Sequence, residues 1–308
     1  MKVAVVGAGA LGGFIAARLA TAGLPAPLVA RRRTLDILQR DGLIVEGPSS
    51  MPVTVRPHVT DDTLALGAQD AVVLAVPAPA LPEILELLPP LLGRATRLVP
   101  VVGGVPWWYP AEGPLASVDP HGLLWNAMPA KRIVGAVAQV AVERPAPGYL
   151  RHLGGLRLAL GSAAGTAEVG DLVALFGAAG FNAAPVDDIR AEVWAALPAP
   201  LAFGALAIVT GLPVQEIARD IRLQPVVAAV VDEVAGLAAQ LGHPMADGME
   251  DALAFAGQPG QVRPDLATAR RAEIEAVLDA PLELAACAGV TLPTVSALRA
   301  LVRVKIQR

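Results

Sequence analysis

The stretch Lys2-Val-Ala-Val-Val-Gly-Ala-Gly-Ala-Leu-Gly12 decides the fold of this chain. Its first part, Lys2 to Val6, is a short apolar run rich in valine, which is typical of a buried parallel strand. Glycines 7, 9 and 12 follow at once, and residues 10–22 then place apolar side chains at helical spacing. This order of strand, glycine turn and helix predicts a unit that binds a dinucleotide.

Each glycine of the turn has its own task. Gly7 permits the tight turn, Gly9 lets the backbone approach a pyrophosphate, and Gly12 lets the helix pack closely on the strand. The backbone N–H groups at the start of the helix, together with its dipole, then face the phosphates. We therefore predict that the following residues bind the cofactor: Gly7, Ala8, Gly9, Ala10, Leu11 and Gly12.

The end of the second predicted strand, Leu28 to Ala30, selects the cofactor. An acidic residue there would bind the ribose hydroxyls of NAD, but this chain carries Arg31-Arg-Arg33. Guanidinium groups bind a 2′-phosphate through bidentate hydrogen bonds, whereas cations at the start of a helix are unfavourable without an anion beside them. The sequence thus favours NADPH, with Arg31 and Arg32 among its ligands.

Further buried strands are predicted over Asp70–Val76 and Arg97–Val102. In a doubly wound sheet the ligand lies at the carboxyl ends of the strands. The aromatic run Trp107-Trp-Tyr109, which follows the second of them, either lines a substrate site or packs in the core. Three more residues are expected to border the cofactor: Val76, Gly103 and Gly104.

The length of 308 residues suits two domains. Residues 1–187 are predicted to form an α/β, Rossmann-type domain that binds NADPH, with 132–161 as outer strands of its doubly wound sheet. Residues 188–308 are predicted to form an all-helical domain for substrate binding and dimerisation, because apolar residues recur there at helical spacing. Pro198 and Pro200 predict a kink or break in its first helix.

Composition excludes several classes of function. Hydrophobic residues make up 54% of the chain, but no run of about 18 apolar residues is uninterrupted, so a membrane-spanning helix is not expected. The net charge of −4 argues against a nucleic-acid partner. The single cysteine and the 4 scattered histidines indicate no metal site and fit a reducing, cytoplasmic location. The first apolar run is read as a strand, and no signal peptide is expected.

The order of these parts resembles the ketopantoate reductase (2-dehydropantoate 2-reductase) family through almost the whole chain. The resemblance implies a Rossmann domain that binds NADPH, a helical second domain and, often, a homodimer. It also implies hydride transfer from NADPH to a 2-keto acid, a small-molecule substrate. The residues that carry it are Gly7–Gly12, Gly104–Tyr109, Leu124–Asn126, Pro147–His152, Asp188–Trp194 and Asp265–Glu273.

Most polar residues implied by the family are replaced in this chain. The family's lysine, which protonates the developing alkoxide, follows Glu-x-Trp by two positions; Glu192-Val-Trp194 is present, but Ala196 occupies the lysine position. Asp265 and Glu273 match the family. The other replaced positions are Pro77 for a lysine, Gly103 for an asparagine, Pro200 and Gly204 for two asparagines, and Gln261 for a serine.

These losses remove the acid and much of the polar cradle, which argues against reduction of ketopantoate itself. One hypothesis is reduction of an imine or iminium, since hydride addition then neutralises a positive charge that Glu273 could stabilise. A second is reduction of an apolar ketone or aldehyde, with the proton from Tyr109, Asn126 or water. A third is NADPH binding without redox turnover. Ketopantoate reduction stays as an alternative.

Overall fold

The structure, a computed structural model, describes residues 1–77, 80–245 and 274–306. It divides into an N-terminal unit, Met1–Val102 with Asn126–Ile189, and a helical unit, Gly103–Trp125 with Arg190–Arg308. The division at residue 189 lies close to the predicted boundary at 187/188. Residues 103–125 differ from the prediction, because they group with the helical unit. Gln261, Asp265 and Glu273 lie outside the described residues.

A five-stranded parallel sheet forms the centre of the N-terminal unit. All four residues of its central strand are buried, which explains the continuous valine-rich run in the sequence. The connections run outward in both directions from this strand, so the predicted doubly wound sheet is confirmed. In spatial order the strands are β5 (Val59–Thr60), β2 (Leu28–Val29), β1 (Val3–Val6), β6 (Gln69–Leu74) and β7 (Leu92–Pro100).

The predicted outer strands over 132–161 do not extend this sheet. They form a long hairpin in a second, mixed sheet, whose central strand is paired along both edges. Within the described residues, this segment pairs with β7 only at an isolated parallel bridge between Leu98 and Ile133. The strands of this sheet are β3 (Leu43–Glu46), β4 (Val53–Val55), β8 (Val134–Ala146), β9 (Tyr149–Ser162) and β10 (Asn182–Pro185).

Helices pack against the sheets of the N-terminal unit, and helices make up most of the helical unit. Within the described residues they are α1 (Ala10–Thr21), α2 (Arg32–Asp41), α3 (Thr63–Leu66), α4 (Leu81–Ile84), α5 (Leu123–Ala127), α6 (Gly170–Ala178), α7 (Ile189–Ala196), α8 (Ala205–Thr210), α9 (Val214–Arg219), α10 (Gln224–Gln240), α11 (Ala280–Cys287) and α12 (Pro293–Ile306).

The helical stretch Ile189–Thr210 changes its winding where the prolines occur. A π-helical turn, Pro200–Gly204, separates α7 from α8, so the predicted break is confirmed. By length and composition this stretch could cross a membrane, but 67% of its most apolar window is buried inside the protein. Such burial is typical of a core helix.

Thr96 holds the irregular start of β7 against β6. The pairing of the two strands shifts between Gln69 and Ala71, which leaves extra residues on the β7 side. The buried Thr96 hydroxyl donates to the Gln69 carbonyl at 2.5 Å and accepts from the Gly93 N–H at 2.7 Å. One side chain therefore satisfies two backbone groups that the shift would otherwise leave unpaired.

We predict that Thr96→Val lowers the free energy of unfolding by about 1–3 kcal/mol, because the isosteric side chain leaves buried polar groups without partners. Urea unfolding monitored by tryptophan fluorescence measures the change. Thr54→Val is the matched control: Thr54 is exposed on β4, and its replacement should have little effect. Equal effects of the two substitutions would contradict this role for Thr96.

Candidate active site

A pocket of about 200 Å³ opens beside the glycine turn of the N-terminal unit. The carboxyl ends of β1, β2 and β6 border it, as expected for a ligand site in a doubly wound sheet. Three polar side chains also line it: Arg31, Thr34 and Arg144.

The glycines of the turn fit a dinucleotide. Gly7 has a φ of +113°, and a Cβ there would lie 2.6 Å from Val76 Cγ1. A Cβ on Gly12 would collide with the Gly7 carbonyl oxygen, so only glycine allows α1 to pack this closely on β1. A Cβ on Gly9 would meet only the Ala75 carbonyl oxygen, at 3.9 Å, so the space beside Gly9 is open to a ligand.

Helix α1 begins immediately after Gly9, which is its N-cap residue. The N–H groups of its first turn have no carbonyl partner within the helix, and the helix dipole places partial positive charge there. A pyrophosphate would meet these groups beside the open backbone of Gly9. The observed geometry therefore suits the phosphate-binding task that the sequence predicts for residues 7–12.

The arginine run, residues 31–33, lies between the end of β2 and the first turn of α2. Arg31 lines the pocket and reaches Glu83 only through long contacts, 3.3 Å to Oε2 and 3.4 Å to the carbonyl oxygen. Arg32 has a φ of +53°, the single positive φ of a non-glycine residue among the described residues, and such a conformation costs on the order of 1 kcal/mol. Neither Arg32 nor Arg33 has a hydrogen-bond or ion-pair partner in the described part of the chain. These guanidinium groups are thus available to an anion.

The remaining predicted cofactor ligands lie in different units. Val76 lines the pocket beside Gly7. Gly104, in the helical unit, has a φ of +73°, and a Cβ there would lie 2.6 Å from the Ala276 carbonyl oxygen. The same oxygen accepts from the Val105 N–H at 2.9 Å, so Gly104 is required for close backbone packing. Contact of Gly103 and Gly104 with a cofactor stays a prediction.

Tyr109 lies in the core of the helical unit. Its side chain is 4% exposed, and its hydroxyl accepts a hydrogen bond of 2.6 Å from Trp194 Nε1. The two rings meet edge to face at 5.5 Å, and Arg190 Nε donates to the Tyr109 carbonyl oxygen. Trp107 and Trp108 are equally buried. Of the two alternatives for this aromatic run, the structure favours packing over a substrate wall, and it weakens the case for Tyr109 as a proton donor.

Asn126 and Glu273, the other predicted catalytic residues, have different outcomes. Asn126 is exposed near the end of α5, a helix whose first N–H groups donate to the buried Asp119 carboxylate. Its amide therefore stays a candidate donor. Glu273 lies outside the described residues. Among the described residues, no group of three or more His, Cys, Asp or Glu side chains could hold a metal ion.

Three of the positions where the sequence lacks the family's polar residues share one face of the stretch from α7 to α8. Ala196, Pro200 and Gly204 are spaced by four and are all partly exposed, whereas the residues between them are mostly buried. A Cβ on Gly204 would meet no atom within 4 Å. These three residues therefore present methyl, ring and backbone groups, and none of them has a side chain that could donate a proton.

Arg144 was missed at the sequence level. It follows 136 residues after Ala8, and nothing in its local sequence connects it with the glycine turn. The pairing of β8 with β9, and of β9 with β3, brings it there. Thr34, in the first turn of α2, was also missed, because the arginines before it are the stronger local signal for an anion.

Comparisons with known proteins agree with this architecture. The model of the ketopantoate reductase PanE/ApbA family matches residues 3–165, and that of its C-terminal domain matches residues 188–306. A 2-dehydropantoate 2-reductase of Mesorhizobium japonicum is 37% identical, over 98% of this chain and 97% of the relative. The crystal structure of 2-dehydropantoate 2-reductase from Geobacter metallireducens has a TM-score of 0.85 and 26% identity, covering 98% of this chain and 99% of that one. A D-mandelate dehydrogenase with NADH shares the fold, with a TM-score of 0.84, 18% identity, and coverage of 100% of this chain and 98% of that one.

Together with these matches, the doubly wound sheet, the glycine turn and the helical second unit place the chain among the dinucleotide-binding oxidoreductases. The matched models cover nearly the whole length, and they narrow the class further. The chain belongs to the ketopantoate reductase family, PanE/ApbA.

We predict that Tyr109→Phe lowers the free energy of unfolding by about 1–3 kcal/mol, because the buried indole N–H of Trp194 loses its acceptor. Thermal unfolding of the variant measures the change. Tyr149→Phe is the matched control, since the Tyr149 hydroxyl donates to the more accessible Glu46, and its loss should matter less. Unchanged stability together with lost turnover would instead favour Tyr109 as the proton donor.

Proposed function

We propose that this protein is an NADPH-dependent reductase of a C=O or C=N group in a small molecule other than ketopantoate, with an imine or iminium as the favoured substrate. The proposed class of substrate rests on one observation, the partly exposed face formed by Ala196, Pro200 and Gly204. We further propose that it acts in the cytoplasm, as a homodimer.

The arginine run supports NADPH over NADH. Arg31 lines the pocket beside the glycine turn, and Arg32 and Arg33 lie exposed at the start of α2 without anionic partners among the described residues. A 2′-phosphate is the dinucleotide group that distinguishes NADPH, and planar guanidinium groups match its oxygens. An anion there would also offset the unfavourable placement of cations at a helix start.

A reduced nicotinamide, when bound, supplies a hydride to a polarised carbon. With a ketone, the two electrons of the new C–H bond displace the carbonyl π pair onto oxygen, and that oxygen needs a proton donor. Ala196 supplies none, and neither Pro200 nor Gly204 can donate a side-chain hydrogen bond to the oxygen.

An iminium substrate avoids this requirement. Hydride addition to its carbon sends the C=N π pair to a nitrogen that is already positive, so a neutral amine forms without protonation of an oxygen. The demand on the protein is then stabilisation of a cation before the reaction. We assign that task to Glu273, one of the two acidic residues, with Asp265, that match the family.

Reduction of ketopantoate is the second candidate, and one observation favours it. The Mesorhizobium japonicum relative, similar along nearly its whole length, is named 2-dehydropantoate 2-reductase. For this chain to perform that reaction, the proton must come from Asn126-bound water or from another group that replaces the missing lysine.

We predict that the double substitution Arg31→Gln and Arg32→Gln raises the dissociation constant for NADPH about 10- to 100-fold, because charge-assisted bonds to the 2′-phosphate are lost. Binding of NADH should change by less than about threefold, since it lacks that group. Fluorescence titration of the reduced cofactors measures both constants.

Arg40→Gln is the control for this substitution, because Arg40 lies in the last turn of the same helix and pairs with Asp41. It should leave both constants unchanged. If the wild-type protein binds NADH as tightly as NADPH, the assignment of the arginines to a 2′-phosphate is wrong.

We predict that NADPH oxidation is fastest with cyclic imines or apolar carbonyl compounds. With ketopantoate, kcat/KM should be at least about 100-fold lower, which is the usual contribution of a positioned general acid. Loss of NADPH absorbance, measured over a panel of imines, ketones, aldehydes and ketopantoate, distinguishes the candidates.

Two variants sharpen this measurement. Glu273→Gln should reduce imine turnover, and Ala196→Lys should reduce it as well by adding a positive charge, while improving any keto-acid turnover. Rapid turnover of ketopantoate by the wild-type protein would support the second candidate. Tight NADPH binding without turnover of any compound would indicate a non-redox role.

A further inference from the structure

Arg144 approaches the glycine turn from the second sheet. It is exposed near the end of β8, and its Nη1 donates to the Ala8 carbonyl oxygen at 3.2 Å. It also lines the same pocket as Gly7, Gly9 and Arg31. A strand of a different sheet therefore places a cation directly against the phosphate-binding turn.

The hairpin that carries this arginine packs closely at its turn. Gly148, in the β8–β9 turn, has a φ of +79°, and its carbonyl oxygen accepts from the Ile44 N–H at 2.8 Å. A Cβ on Gly148 would lie 3.4 Å from side-chain atoms of Ile37 and Leu38, so the hairpin end contacts α2 closely. The hairpin end, four residues beyond Arg144, is thus held against α2, and Arg144 itself lies where the β8–β9 pairing shifts register between Glu143 and Ala146.

Among the described residues, Arg144 has no opposite charge beside it. Within the described residues, no carboxylate lies within ion-pair distance of its guanidinium. Glu83 contacts Arg31, the other arginine that lines this pocket. A guanidinium carries five N–H donors, and one is used by Ala8. The remaining donors are available to a ligand in the pocket.

Electrostatics makes this arrangement unfavourable in the absence of an anion. Ala8 lies two residues before the start of α1, whose N-terminus already carries partial positive charge. A further cation beside it is repelled. A bound phosphate group would offset this repulsion, because the helix end and the guanidinium both attract the same anion.

We propose that Arg144 binds the pyrophosphate of the dinucleotide, an inference that rests on the proposed cofactor. Its contact with Ala8 places it at the turn that receives the pyrophosphate, whereas Arg31 and Arg32 lie at the end of β2, where a 2′-phosphate would bind. Because the pyrophosphate is common to NADPH and NADH, Arg144 raises the affinity for both cofactors without selecting between them.

The test measures dissociation constants of NADPH and NADH for the wild-type protein and for Arg144→Gln by fluorescence titration. Loss of one charge-assisted hydrogen bond should raise both constants about tenfold and leave their ratio unchanged. The difference between the two proteins should shrink at high salt, which screens an exposed charge. Arg144→Lys should restore part of the affinity, because it keeps the charge.

Arg56→Gln is the matched control, since Arg56 is also exposed and also donates to a backbone carbonyl, that of Arg40, outside the pocket. It should bind both cofactors as the wild-type protein does. Equal unfolding temperatures of the variants establish that folding is intact.

The outcomes separate the two proposals. If the wild-type protein binds neither cofactor, the proposed function fails. If it binds NADPH but Arg144→Gln binds both cofactors normally, the assignment of Arg144 is overturned while the proposed function stands. If the variant weakens NADPH alone, Arg144 contacts the 2′-phosphate and the pyrophosphate assignment is wrong.

Discussion

The close approach of α1 to β1 at the glycine turn is the constraint on which the N-terminal unit depends. A Cβ on Gly12 would collide with the Gly7 carbonyl oxygen, and one on Gly7 would strike Val76. These contacts fix the direction in which α1 leaves the sheet, and with it the direction of its dipole. The pocket opens beside this turn, and the end of the neighbouring strand β2 brings Arg31 to it.

Much of the fold could be predicted because the decisive signals are local. The valine run and glycine turn specify β1 and α1 within one stretch of chain, and Pro200 marks the π-helical turn that interrupts a helix. The second sheet was mistaken for an extension of the first because strand partners depend on long-range pairing. Strand β3, residues 43–46, pairs with β9, which lies about a hundred positions later in the chain. No local sequence pattern predicts that pairing.

The residues of the candidate site also differ in whether the local sequence predicts them. The turn, Arg31 and Val76 could be found because they follow strand ends in sequence. Arg144 could not, since the hairpin brings it to Ala8 from a distant part of the chain. Tyr109 was offered as a possible donor because aromatic residues in a loop suit either a site or a core; its hydrogen bond with Trp194 shows how burial of a polar ring decides such a choice.

The segment 103–125 has a further consequence, because it interrupts one unit in sequence and belongs to the other in space. Neither unit is a continuous piece of polypeptide, so no single cleavage separates them intact. A fragment ending at residue 189 would carry Trp107, Trp108 and Tyr109 without the helices that bury them. Such a fragment would present an uncovered aromatic surface and would be prone to self-association, both on the ribosome and after proteolysis.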